Sequence, residues 1–250
     1  MTLLAIMMHS YRGGTGKTLL AVNLAASYSK KEKVCLLDYD FSAPGLHGMF
    51  DIPEPDFWIN DFLNGDCEIN EVLSEVYPNL HVGFACPDSE VVRAMLGKSR
   101  SWETEALNKT VSLKNTLTDM GFNKLIFDTP PGLAYSAINA VIASDVVALV
   151  MRMESLDILG TKEMVKGLYE LLEKPSFVAV NMVLPSQQKA LTSTMEKIFG
   201  NHILGYLPCL CEVKSYIAEG KLIFVDEKID YAKAVLKLAQ DIENFCKNHS

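Results

Sequence analysis

No stretch of the 250-residue chain holds about 20 consecutive apolar residues, the length a membrane-crossing helix needs. The longest candidate, "AINAVIASDVVALVM" (137–151), is interrupted by Asn139, Ser144 and Asp145. Basic residues are also in deficit: 23 Lys and Arg against 31 Asp and Glu give a formal net charge of −8. That balance argues against nucleic-acid binding through a basic surface. The short clusters Lys30, Lys31, Lys33 and Lys98, Arg100 read as solvated faces. A disulfide framework is missing as well, because the six cysteines (35, 67, 86, 209, 211 and 246) are scattered, several of them inside apolar runs. Such usage suits a reducing cytoplasm. The N-terminal run "LLAIMM" lacks the basic start of a secretory leader and leads straight into a glycine-rich loop, so a cytoplasmic protein is expected. Repeats, low-complexity tracts and linkers are lacking too, and one large domain over 1–250 is expected.

What is present is a regular alternation. Apolar runs "LLAIMMH", "KVCLLDY", "LHVGFAC", "KLIFDT", "DVVALVM", "SFVAVNMV" and "HILGYLP" read as strands. Segments such as "KTLLAVNLAASYSK", "TEALNKTVSLKNTLTDM" and "SLDILGTKEMVKGLYELLEK" read as helices between them. Near-continuous apolar strands alternating with helices predict a doubly wound α/β fold, a mostly parallel sheet with helices on both faces. Ligands of such sheets bind beyond the carboxyl ends of the strands. Five polar clusters end the strands and should converge there: residues 10–18, "DYD" (38–40), "DTPPG" (128–132), Asn181 and "LPCLC" (207–211).

The first cluster, "HSYRGGTGKT" (9–18), lacks the leading glycine of the usual phosphate loop and has Tyr11 there. The rest has phosphate chemistry. Gly13, Gly14 and Gly16 allow positive φ and close approach of the backbone to an anion. A helix starting near Lys17 aims free N–H groups and its positive dipole end at phosphates. Lys17 is suited to the β- and γ-phosphates and the Thr18 hydroxyl to Mg²⁺. At the second cluster, Asp38 and Asp40 suit a metal contact and a water-orienting group, and Pro44–Gly45 marks a mobile turn beyond them. In the third, Asp128 ends an apolar strand where a carboxylate would hold Mg²⁺, often through water. Pro130, Pro131 and Gly132 make a stiff turn whose last N–H is placed to sense a γ-phosphate.

This order of motifs resembles the ParA/MinD family of P-loop ATPases, whose loop is written K-G-G-x-G-K-[ST]. The likeness runs nearly end to end, through "KTLLAVNLAASYSKKEKVCLLDYD", "ASDVVALVMRMESLDILGTKEMVKGL" and "GYLPCLCEVKSYIAEGK". It implies ATP and Mg²⁺ as ligands, with Gly13, Gly14, Thr15, Gly16, Lys17, Thr18 and Leu19 around the phosphates. Asp40 matches the residue that positions the attacking water, Asp128 the metal-binding acid, and Asp38 its support. Asn181 matches an asparagine that reads the adenine edge, with Pro208, Cys209 and Leu210 packing on the base. Asp40, Pro44, Gly45, Pro131 and Gly132 fall in the switch regions. Arg12 stands where the family has a signature lysine that reaches the partner's ATP across a dimer. Arginine keeps the charge and forks onto phosphate oxygens, so Arg12, Lys17 and Asp40 are the implied catalytic set. Other departures are Met153, where the family often has proline, and Leu210, where it has aspartate.

The implied activity is a slow ATPase that dimerises on ATP and controls the positioning or partitioning of a cargo through a protein partner or activator. Two alternatives stay open. One is metal or iron–sulfur delivery, for which Cys209 and Cys211 have a usable spacing. The other is a non-hydrolysing binding module. The C-terminal stripe Ala232, Val235, Leu236, Ala239, Ile242, Cys246 predicts a last helix packed on the core. Its mixed charges are unlike those of a membrane-surface helix.

Overall fold

The computed structural model describes residues 3–184, 186, 188–209 and 211–249. Eight strands form one sheet: β1 (Leu4–His9), β2 (Val34–Asp38), β3 (Leu73–Tyr77), β4 (Leu80–Gly83), β5 (Lys124–Asp128), β6 (Val146–Met151), β7 (Ser176–Val183) and β8 (Ile203–Pro208). Their order across the sheet is β3-β4-β2-β5-β1-β6-β7-β8. All pairings are parallel except β3 with β4, so β3 is an antiparallel edge. The helices are α1 (Lys17–Ser29), α2 (Ile59–Asn64), α3 (Ile69–Val72), α4 (Ser89–Leu96), α5 (Arg100–Asp119), α6 (Tyr135–Ala143), α7 (Ser155–Met164), α8 (Gln188–Phe199), α9 (Cys211–Ala218) and α10 (Asp230–His249).

The strands are apolar throughout because both faces are covered. Alternate residues feed two cores, as the period of two requires. Ala5, Met7, Cys35, Leu37, Leu125 and Phe127 join one core with Leu113 and Leu117 of α5 and Ala137 and Ala140 of α6. Ile6, Met8, Val34, Leu36 and Ile126 join the other with Leu20, Leu24 and Ala25 of α1 and Val235, Leu238 and Ile242 of α10. The last helix therefore packs on the core, with a correction to its stripe: Leu238 is buried and Leu236 only half-buried.

Two other differences from the sequence expectation have physical causes. Strand β3, "LSEVY", was not anticipated, because a half-buried edge strand carries neither a full apolar run nor a clean alternation. The helix expected through 155–174 is α-helical only to Met164 and continues as a π turn over Val165–Tyr169. Periodicity cannot resolve one inserted residue in a turn.

Candidate nucleotide-binding site

Strands β1, β2 and β5 lie side by side in parallel, so the polar residues at their ends arrive together. Asp38 and Asp128 are register partners on β2 and β5, and Met8 of β1 pairs with Asp128 on the other side. Tyr39, between the two acids of "DYD", is buried with its hydroxyl 3.0 Å from Thr110 Oγ1, which anchors this strand end in the core. The loop from β1 to α1 passes over these ends.

The loop turns through two glycines in the left-handed region, Gly14 (φ 76°) and Gly16 (φ 79°). Gly16 has a second reason to lack a side chain: a Cβ there would lie 2.5 Å from Asn181 Nδ2. Gly16 also caps α1 without any side-chain hydrogen bond, and the first turn holds no acidic residue. The helix therefore presents uncapped N–H groups and a positive dipole end toward the loop, an arrangement suited to an anion. A cleft of about 270 Å³ lies there, lined by Ser10, residues 13–19, Asp40 and Pro131.

Behind the cleft the charges are buried. Lys17 Nζ lies 2.5 Å from Asp128 Oδ1, with both side chains less than a tenth exposed. Asp38 takes three backbone donors: Asp40 N at 3.1 Å, Gly45 N at 3.3 Å and Leu46 N at 3.2 Å. Burial and the neighbouring charge of Asp128 still push its carboxyl up to about 8. Two strand-end carboxylates with one lysine between them and the cleft form a hard-oxygen donor set, the type that suits Mg²⁺. Asp40 is half-buried at the cleft wall, and its Oδ1 accepts from Ser42 Oγ (2.6 Å) and Ala43 N (3.0 Å). Gly45 is thereby tied to Asp38, so Asp38 organises the turn containing Pro44 and Gly45.

The upstream end of the loop is held differently. Tyr11, where a glycine is usual, lies across α7: a Cβ on Gly160 would sit 2.1 Å from the tyrosine ring. Arg12 Nη1 is 3.9 Å from Asp157 Oδ1, in the first turn of the same helix. Asp157 is buried and also takes Arg152 Nε at 3.2 Å, whereas Arg12 remains 44% exposed. These two anchors on α7 were not apparent from the sequence.

On the far side, Asn181 ends up against the loop. Its Nδ2 donates to Thr15 O (2.8 Å) and its Oδ1 accepts from Met182 N (2.9 Å). The side chain thus braces the phosphate loop from the end of β7. Cys209 N donates to Val183 O at 2.8 Å, which brings Pro208 and Cys209 beside that strand end. Leu210 lies outside the described residues. Cys209 and Cys211 are free thiols, and no group of three or more His, Cys, Asp or Glu among the described residues is arranged to hold a metal ion. No helix among them is long and apolar enough to cross a membrane.

A parallel sheet with a lysine-bearing glycine loop over adjacent strand-end aspartates defines the class of P-loop nucleotide-binding proteins. The chain belongs to the AAA domain family, whose model matches residues 3–182. It is similar to the virulence plasmid ParA family protein pGP5-D of Chlamydia psittaci, with 25% identity over 251 residues covering 94% of this chain and 92% of the relative. Among solved structures it is similar to the septum site-determining protein MinD of Pyrococcus horikoshii complexed with Mg-ADP. The TM-score there is 0.79 at 18% identity, with 99% of each chain covered. A plasmid partition protein of Borrelia burgdorferi bound to AMPPNP gives a TM-score of 0.79 at 20% identity, covering 98% of this chain and 99% of that one. The chain therefore shares its fold with MinD and plasmid partition proteins solved with bound nucleotide.

Proposed function

We propose that this chain is a slow ATPase and molecular switch that acts as one domain, dimerises on ATP and governs the positioning or partitioning of a cellular cargo. The observation that carries it is the convergence of residues 13–19, Asp40 and Pro131 on one cleft, with the Lys17–Asp128 pair directly behind. Nucleotide complexes of the relatives, with Mg-ADP and with AMPPNP, support the ligand class.

In this reading the backbone of residues 13–19 cradles the phosphates, and Lys17 exchanges its pairing with Asp128 for the β- and γ-phosphates. Thr18 and Asp128, with Asp38 behind, would hold Mg²⁺, which when bound screens phosphate charge. Asp40 orients the attacking water. Asn181, which also secures the loop through Thr15, reads the adenine edge, and Pro208, Cys209 and Leu210 pack on the base. Arg12, exposed at the rim, reaches the nucleotide of a second copy. A trans-acting arginine contributes about 10³–10⁵ in rate where such residues have been dissected. Hydrolysis resets a protein-binding surface around residues 38–65 and 128–140, which include Pro44, Gly45, Pro131 and Gly132.

The test is ATP turnover and gel filtration with ATP, ADP or no nucleotide, on the wild type, Lys17→Ala and Asp40→Ala. The expected result is an ATP-dependent dimer that Asp40→Ala traps and Lys17→Ala abolishes. A wild type that binds ATP but stays monomeric and releases no phosphate, with or without cell extract, would overturn the switch.

A further inference from the structure

One buried group close to the loop has no part in that scheme. His9, the last residue of β1, is 1% exposed and sits three residues before the arginine. Its Nε2 is 2.7 Å from Gly132 O, and its Nδ1 meets the hydroxyl of Tyr169, which is itself fully buried. A carbonyl oxygen can only accept, so Nε2 carries the proton and Nδ1 accepts from Tyr169 O–H. Neutral imidazole then has both nitrogens satisfied. Burial, with a further contribution from the charge of Lys17, holds the ring neutral, down at about 4.

Gly132 is clamped on both sides. Its N–H donates to Ser10 O at 3.0 Å while its carbonyl accepts from His9, so two successive residues, the last of β1 and the next, hold the peptide groups on either side of one glycine. Gly132 has φ 74° and follows the stiff Pro130–Pro131 pair, beside the cleft that Pro131 lines. On its other side the chain of bonds ends at the π turn Val165–Tyr169, which continues α7. The N-terminal part of α7 carries Asp157 and Gly160, the anchors of Arg12 and Tyr11. One helix therefore touches the upstream end of the loop directly, and the turn that follows it reaches the 129–132 turn through His9. π turns recur where a helix must place a particular side chain.

We propose that His9 is a positioning residue: oriented by Tyr169, it holds the carbonyl of Gly132 and so sets the response of the 130–132 turn to the γ-phosphate. This rests on the proposed ATP site and deepens it. His9 would touch neither nucleotide nor water. It acts by holding the carbonyl of Gly132, the residue whose own N–H is bound to Ser10 O at the start of the loop.

Fluorescent analogues of ATP and ADP, titrated separately, give the test, with steady-state ATP turnover alongside. The variants are His9→Ala, His9→Gln, whose amide nitrogen lies near the place of Nε2, and Tyr169→Phe. We expect His9→Ala to lose about tenfold in affinity for the ATP analogue, the worth of roughly one hydrogen bond, with ADP affinity unchanged. Turnover falls with it, His9→Gln restores most of the difference, and Tyr169→Phe shows a smaller loss in the same sense. A purely structural role would lower both affinities together, or neither, and Gln would not rescue selectively. Equal ATP and ADP affinities in His9→Ala relative to wild type would overturn the proposal. If His9→Ala fails to fold, Tyr169→Phe decides: an unchanged ATP-to-ADP preference in that variant overturns it equally. A wild type that does not bind ATP would instead overturn the underlying site.

Discussion

The two ends of the glycine-rich loop are built on opposite plans. The downstream end, Gly16–Lys17, is buried and determined several times over. Gly16 is left-handed with Asn181 against it, Asn181 binds Thr15, and Lys17 is paired inside the protein with Asp128. The upstream end, Tyr11–Arg12, lies on the surface and rests on α7 by one ring contact and one long ion pair at 3.9 Å. Phosphate binding in one chain needs preorganised donors, and the downstream end supplies them. Reaching a second molecule needs a charge that can leave its resting partner at small cost; the Arg12 pair is long, its arginine is 44% exposed, and buried Asp157 keeps Arg152 when Arg12 leaves. The difference in construction matches the division of labour in the proposed switch: one end for the chain's own nucleotide, the other for a neighbour's.

The largest effect should come from breaking the buried end. Lys17→Ala is expected to lower ATP affinity by about 100-fold, the upper range for a charged hydrogen bond. It also leaves Asp128 beside Asp38 without its cation. Removing one partner of a buried pair costs about 3 kcal/mol, readable as a lowered urea midpoint. Gly16→Ala comes next. Left-handed backbone costs an alanine about 1–2 kcal/mol, and its Cβ would displace Asn181. Calorimetry should show weakened ATP binding together with a lower melting temperature. At the surface end, Arg12→Ala should change stability by no more than about 0.5 kcal/mol and leave ATP affinity intact, while ATP-dependent dimerisation is lost. An Arg12→Ala variant as destabilised as Lys17→Ala would erase the contrast.

The smallest effect concerns pH. His9 is held at about 4 in the fold against an ordinary value near 6.5, so the unfolded chain binds more protons between those values. Its contribution to stability is complete above about pH 6.5 and is lost as pH falls through about 4. Asp38, held up at about 8, contributes in the opposite sense over this range. The His9 effect is therefore read as a difference: from pH 7.5 to 5 the urea midpoint of the wild type should fall relative to that of His9→Gln. Midpoints of the two proteins that run parallel with pH would contradict the assignment to His9.

How much of this was legible in the sequence follows the same division. Seven strands and the lysine loop were readable because buried parallel strands are continuous apolar runs and because glycine, lysine and threonine carry their chemistry locally. The convergence of Asp38, Asp128 and the loop followed from the rule that strand ends share one edge. The bracing contacts were not readable. Tyr11 on Gly160, Arg12 near Asp157 and His9 against Tyr169 join residues about 145 to 160 positions apart, and no local pattern marks them. Tyr11 in place of a glycine looked like a damaged motif. In the fold it is a contact for which α7 has given up a side chain. The contact of the Asn181 amide with Thr15 was equally unmarked, and it forms because Gly16 leaves room for that side chain.

The most direct test of the divided loop is sedimentation of two variants with saturating ATP: Asp40→Ala, and Asp40→Ala combined with Arg12→Ala. Without the carboxylate proposed to orient the water neither should hydrolyse, so the oligomeric state reports assembly alone. The account predicts a stable dimer for the single variant and a nucleotide-bound monomer for the double. A double variant that dimerises as well as the single one would contradict it.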